Sequence, residues 1–267
     1  MTQHKGKTTI GADEKYRAII LNPNAIVKPC QLKVIETTES YVAFDSNQLD
    51  TADMAIFSPD YWASKNAIIG TAHGRGTTYF IEHNAQQWVL KHYYRGGLIG
   101  KIIQDKYMYF GIEKTRAKKE FDLLLTMQAL NLPCPAPIAI GIRKLTLTYQ
   151  ADLITQRIDQ SNDVVGLLTK TALSTEQWQS IGSTIKQFHR HGIYHDDLNC
   201  HNILLDKHNK VWLIDFDRGE QRVSEEKWQQ ANLDRLLRSF RKEKTRLSEF
   251  HWQEADWQLL LAGYQEA

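Results

Sequence analysis

The chain has 267 residues, enough to bury a substantial core as one two-lobed domain or as two small ones. Apolar content of 42%, charged content of 24% and a net charge of +2 are ordinary for a soluble globular protein and exclude a low-complexity chain. Cys30, Cys134 and Cys200 stand apart with no pairing or metal-ligand spacing, so a disulfide framework is excluded and a reducing cytosol is the natural compartment. No apolar run suits a signal peptide or a bilayer span, and any membrane association is expected to be peripheral.

Residues 1–66 carry no catalytic motif and are expected to extend an N-terminal lobe. Within them 16–21 and 31–35 have strand character, and Ser58-Pro-Asp-Tyr-Trp62 suggests a turn entering a helix. A strand at 67–69 leads into a run containing Gly70, Gly74 and Gly76, followed by a strand at 77–82. Glycines in such a turn let backbone N–H groups approach phosphate, which suits a nucleotide-covering hairpin. The spacing departs from G-x-G-x-x-G, and a plain hairpin is the alternative.

The strand at 87–91 ends in Lys91, fifteen residues after Gly76, and the kinase resemblance given below implies that this lysine pairs with phosphate. A helix is predicted over 114–130, with Phe121, Leu124 and Leu125 inward and Glu120 near its start. Glu120 is the candidate ion-pair partner of Lys91; a solvated helix carboxylate is the alternative. From Lys91 into the first turns of this helix run Arg95, Lys101, Lys106, Lys114, Arg116, Lys118 and Lys119, against only Asp105 and Glu113. This basic, aromatic-interleaved segment suits an anionic acceptor or phosphate-rich surface, or else a solvated face. No nucleic-acid recognition motif accompanies it.

Pro133, Pro135 and Pro137 end the helix. Strands are predicted at 138–142 and 145–155 with Arg143-Lys144 as their turn. Residues 157–163 read as the hinge between an N-terminal lobe of 1–158 and a C-terminal lobe of 159–267, where the kinase resemblance given below implies adenine against hinge backbone. The second lobe opens on a helix capped by Ser174, with Trp178, Ile181, Ile185 and Phe188 on one face, stopped by Gly192. His189 and His191 read as exposed residues at its end, and His195 as a structural residue of the loop that follows.

That loop carries His195-x-Asp197 and then Asn202; an apolar hairpin over 202–214 follows, ending at Asp215-Phe216-Asp217. Phosphoryl transfer to a hydroxyl needs a carboxylate to orient the hydroxyl and take its proton, and metal ions to neutralise charge on the phosphate oxygens. Asp197 fits the first role. Asn202 and Asp215 offer a neutral and an anionic oxygen to a metal. Helices are predicted over 225–242, with Trp228, Leu233, Leu236, Leu237 and Phe240 on one face, and over 248–263 with Phe250, Trp252, Trp257 and Leu260. The first also carries Arg235, Arg238, Arg241 and Lys242, cations suited to an anionic membrane or substrate.

In order and spacing, His195-x-Asp197-x4-Asn202 and Asp215-Phe216-Asp217 resemble the catalytic and metal-binding loops of protein-kinase-like phosphotransferases. The implied fold is α+β and bilobal, with a β-rich N-terminal lobe and a reduced, mainly helical C-terminal lobe. More specifically, YHDDLNCHNILLD, WLIDFDRGE, GRGTTYF, LKHYYRGGL and NLDRLLRSFRK, spanning roughly 67–242, resemble the small bacterial kinases that phosphorylate inner-core sugars of lipopolysaccharide, in particular 3-deoxy-D-manno-octulosonic acid (Kdo). The resemblance implies ATP and Mg2+ as cofactors and the 4-hydroxyl of Kdo on a lipid A precursor as acceptor. It also implies a cytoplasmic protein in peripheral contact with the inner membrane, with no nucleic acid and no obligate protein partner.

A heptose kinase of the same core and a nucleotide-binding pseudokinase scaffold are the alternatives; the full set of Lys91, Glu120, Asp197, Asn202 and Asp215 argues against the scaffold. Two departures stand out: Asp196 occupies the place of the arginine of regulated protein kinases, and Asp217 replaces the glycine after Asp215-Phe216.

Overall fold

The computed structural model describes residues 30–74, 76–95 and 105–267. The strand expected at 16–21 and the basic residue Lys101 lie outside them. The described residues divide into two compact units, one running to Asn131 and including Ala136–Arg157, the other comprising Leu132–Pro135 and Ile158–Ala267.

The first unit is built on an antiparallel sheet. Its strands are β1 (Leu32–Glu36), β2 (Ser40–Asp45), β3 (Ile68–His73), β4 (Thr77–His83), β5 (Gln86–His92), the short β6 (Tyr107–Met108), β7 (Pro137–Lys144) and β8 (Thr148–Gln156). They pair in the order β1-β2-β7-β8-β5-β4-β3, with β6 on the end of β8. The central β7 is buried along Pro137–Ile142, the continuous apolar run of a strand covered on both faces. β2 was not marked by periodicity, because Tyr41-Val-Ala-Phe44 is apolar throughout and fits helix or strand equally. The turn between β7 and β8 falls at 145–147, later than the expected Arg143-Lys144, both of which pair with β8.

A short helix, α1 (Pro59–Ala63), begins on the proline, where the missing N–H costs nothing. It plants Trp62 in the core beside Trp88, with the indole N–H donating to the carbonyl of Ile56 at 2.6 Å. Helix α2 (Arg116–Ala129) is capped by Thr115, whose hydroxyl accepts from the N–H of Lys118. Lys118 does not join a solvated basic face: it is 2% exposed, 2.8 Å from Asp122 and 3.3 Å from Glu113. Its charge is closed internally, as burial of an ammonium requires.

In the second unit, β9 (Ser161–Asp163) leads into α3 (Val164–Leu168), so the expected hinge segment ends in regular structure. Helix α4 (Thr175–Arg190) starts in a full capping box between Ser174 and Gln177. Then come β10 (Ile193–Tyr194), β11 (Ile203–Asp206), β12 (Val211–Leu213), β13 (Glu220–Gln221), α5 (Glu226–Arg246) and α6 (Glu254–Glu266). β11 pairs with both β12 and β9.

Helix α6 starts later than expected because 250–253 is not helical, burying Phe250 and Trp252, and a Gln253–Asp256 capping box opens the helix. Trp252 stacks on Phe240. α4 and α6 cross in backbone contact: a Cβ on Gly182 would overlap the carbonyl of Leu260, and one on Gly263 that of Gln179. His189 is not exposed as expected. It is 1% exposed and bonded through Nδ1 to the hydroxyl of Tyr264 at 2.8 Å, because α6 covers the end of α4.

Candidate active site

Everything in the second unit's site follows from how the loop after β10 is held. His195 is buried and uses both ring nitrogens. Its Nδ1 accepts from the N–H of Asp197 at 3.2 Å, and its Nε2–H donates to the carbonyl of Ile214 at 2.9 Å. One imidazole thus fastens the Asp197 loop to the strand end that carries Asp215. Burial lowers the pKa of His195, which keeps the ring in the neutral form this pattern requires.

Asn202 completes the turn. Its side-chain N–H donates to the carbonyl of Asp197 at 2.9 Å, which turns its amide oxygen the other way. The N–H of Ile214 donates to the carbonyl of Asn202 at 3.0 Å, so Asn202 and Asp215 flank one backbone hydrogen bond. Asp215 has φ 61° and Arg218 φ 62°, left-handed conformations that non-glycine residues adopt at a cost and that gather at functional loops. Between them Phe216 is buried, stacked on Phe188 and touching the ring of His195. Asp196 forms a 2.9 Å ion pair with Arg218. The charge pair of this loop is therefore reversed relative to an arginine at that position.

Sequence reasoning missed the brace behind this loop. Four residues of α5 contact it in order, at helical spacing. Asn232 accepts from the N–H of His195 at 3.3 Å and donates to its carbonyl at 3.1 Å. Arg235 lies 3.3 Å from the carboxylate of Asp197. The hydroxyl of Ser239 accepts from the N–H of Cys200 at 3.0 Å, and buried Glu243 lies 3.3 Å from His201. Steps of three or four residues place all four side chains on one helix edge. The signal was a polar edge, N-x2-R-x3-S-x3-E, beside the apolar stripe.

In the first unit, Lys91 on β5 and Glu120 on α2 form an ion pair at 3.4 Å. Glu120 is 3% exposed, not a solvated carboxylate, and it also accepts from the hydroxyl of Tyr93 at 2.5 Å. Lys91 keeps more of its surface in contact with water than its partner does.

Gly70 falls inside β3, not in the turn, next to a register shift against β4. Only Gly74 and Gly76 belong to the turn, closed by a 2.9 Å bond from the N–H of Gly74 to the carbonyl of Gly76. A Cβ on Gly76 would collide with the ring of Tyr94, whereas Gly74 opens onto free space.

Among the described residues no three His, Cys, Asp or Glu side chains gather as a metal cage. The amide of Asn202 and carboxylate of Asp215 are instead hard oxygen donors of the kind that hold magnesium together with phosphate oxygens and water. The donor chemistry fits such an ion.

The model of the Lipopolysaccharide kinase (Kdo/WaaP) family matches residues 59–264. Similar proteins include the 3-deoxy-D-manno-octulosonic acid kinase of Vibrio parahaemolyticus, 44% identical over 75% of this chain and 84% of the relative. The enzyme of the same name from Photobacterium damsela subsp. piscicida is 43% identical over 80% of this chain and 89% of its own. That of Haemophilus influenzae is 41% identical over 76% and 87%. With the family matched over most of its length, the chain belongs to the lipopolysaccharide kinase (Kdo/WaaP) family and is a phosphotransferase acting on a hydroxyl group.

Proposed function

We propose that this protein phosphorylates the 4-hydroxyl of Kdo on a lipid A precursor, using ATP and Mg2+, at the cytoplasmic face of the inner membrane. The observation that carries the chemistry is Asp197: a half-exposed carboxylate on a loop whose backbone is fastened by His195, Asn202 and α5. The acceptor is supported by the relatives, which are 3-deoxy-D-manno-octulosonic acid kinases. The peripheral location follows from the proposed acceptor, a lipid; no helix among the described residues is long and apolar enough to cross a membrane.

Asp197 orients the sugar hydroxyl and takes its proton as the oxygen bonds to the terminal phosphorus of ATP and the bond from that phosphorus to ADP breaks. His195 and Asn202 hold that carboxylate in place before the acceptor arrives, so little reorganisation is needed during the reaction. Lys91, held by Glu120, supplies a positive charge for the phosphates, and Gly74 an open backbone turn. Asn202 and Asp215 would hold the magnesium, which when bound neutralises charge on the phosphate oxygens.

The test offers labelled ATP and magnesium with three acceptors in parallel: a Kdo-bearing lipid A precursor, a heptose-bearing core and a generic protein. Labelling of the Kdo lipid is expected, and Asp197→Ala should lower it by about 10²–10⁴-fold with the fold intact. Labelling of the heptose-bearing core alone would move the acceptor. No labelling of any acceptor would overturn the reading.

A further inference from the structure

Arg235, on the polar edge of α5 that braces the loop, also heads a neighbouring edge of exposed cations. Helical geometry places Arg235, Arg238 and Lys242 in one row, at steps of three and four, spanning about 10 Å along the axis. Outside this row, Lys227 in the first turn is also exposed, while three cations toward the C-terminal end of the helix are occupied. Arg241 forms a two-pronged bond to Glu254 at 2.8 and 2.9 Å, Arg246 pairs with Glu243, and Lys244 donates to the carbonyl of Phe250 at 2.8 Å. Arg238 and Lys242 are exposed and have no ion-pair or hydrogen-bond partner among the described residues.

Arg235 heads the row and touches Asp197 through one guanidinium nitrogen, with its side chain still 45% exposed. A guanidinium carries five N–H donors. It can therefore keep its hold on Asp197 and accept a second anion.

We propose that Arg235, Arg238 and Lys242 form the acceptor track, binding the carboxylate and phosphate groups of an anionic sugar lipid so that its hydroxyl meets Asp197. This deepens the functional reading above and rests on it for the identity of the lipid. Three features distinguish the row from a merely solvated face. It begins at the Asp197 carboxylate, Arg238 and Lys242 have no partner among the described residues while Arg241, Lys244 and Arg246 beside them do, and its charge complements an acceptor class that carries several anions. Arg235 has a fork suited to a carboxylate, and Lys242 a point charge suited to a phosphate.

The experiment uses the full chain and nonionic detergent micelles doped with the Kdo-bearing precursor. Equilibrium binding is read independently of turnover, and phosphate transfer is read in parallel. Arg238→Ala/Lys242→Ala should weaken micelle binding and raise the acceptor KM by about tenfold, two partly exposed ion pairs' worth. Its binding should also depend less on salt than that of the unaltered chain. Lys170→Ala/Lys207→Ala removes the same charge elsewhere in the unit and should change neither.

Arg235→Ala should raise the acceptor KM as well as lower kcat, whereas a pure brace on Asp197 would lower kcat alone. The proposal is overturned if the α5 double variant binds as tightly as the control variant, or if Arg235→Ala leaves the acceptor KM unmoved. Absence of transfer by the unaltered chain, with binding lost only in the α5 variants, would overturn the functional reading and leave the track standing.

Discussion

His195 donates from Nε2 to the carbonyl of Ile214 across 2.9 Å, nineteen residues further along the chain. With Nδ1 accepting from Asp197, the ring links the loop of the proposed base to the loop of the proposed metal ligand. His195→Phe keeps the ring against Phe216 but leaves a buried carbonyl and an N–H without partners. It should cost about 2 kcal/mol of stability. A kcat loss of tenfold or more should accompany it, since the carboxylate is no longer held. Thermal unfolding and steady-state kinetics read the two effects separately.

Glu120 accepts from both Lys91 and Tyr93 in a nearly water-free position. Glu120→Ala should therefore be worse for stability than Lys91→Ala, because it removes an acceptor from a buried hydroxyl and an ammonium together, at a cost of roughly 3 kcal/mol. Both variants should lose transfer. Denaturant midpoints of the single and double variants test the coupling, and a second change on top of the first should add little to the loss.

Burial holds the pKa of His189 down to about 4, from an ordinary 6.5. Between those values the unfolded chain binds a proton that the folded chain does not, so stability rises with pH across this window. The contribution is complete above about pH 6.5 and lost as pH falls toward 4, a change on the order of 3 kcal/mol. His195, also lowered by burial, acts in the same direction. Unfolding midpoints taken from pH 7 to pH 4 should fall. In His189→Gln the slope should be shallower.

At the crossing of α4 and α6, Gly182 faces the backbone of Leu260 with no room for a methyl group. Gly182→Ala should destabilise the protein by about 3 kcal/mol, since two helix backbones must separate. Gly74→Ala, whose Cβ would meet nothing within 4 Å, should leave stability unchanged within about 0.5 kcal/mol. Calorimetry on the pair separates a packing glycine from a turn glycine.

Much of the candidate site was legible in sequence because its chemistry is local. The five-residue step from Asp197 to Asn202 closes a single turn, and the strand running to Asp215 follows directly after a short hairpin. Residue type and spacing along one loop thus nearly determine which groups can converge. The ion pair of Lys91 with Glu120 was legible only as a candidate, since 29 residues separate them, part of that stretch lying outside the described residues.

What spacing could not decide was burial and partnership between distant elements. Lys118 reads as one more cation of a basic segment until Asp122 and Glu113 are seen around it. His189 reads as a helix-end histidine until α6 folds over it. Gly70 reads as part of a turn until its pairing with Phe80 places it in a strand. The α5 brace is the largest omission. The amino-acid sequence determined that α5 would be an amphipathic helix rich in arginine, because the apolar period is a property of the segment alone. Only the tertiary structure decided that its polar edge lies along the Asp197 loop, with Asn232 on His195 and Arg235 on Asp197, because that depends on where a helix more than thirty residues away docks.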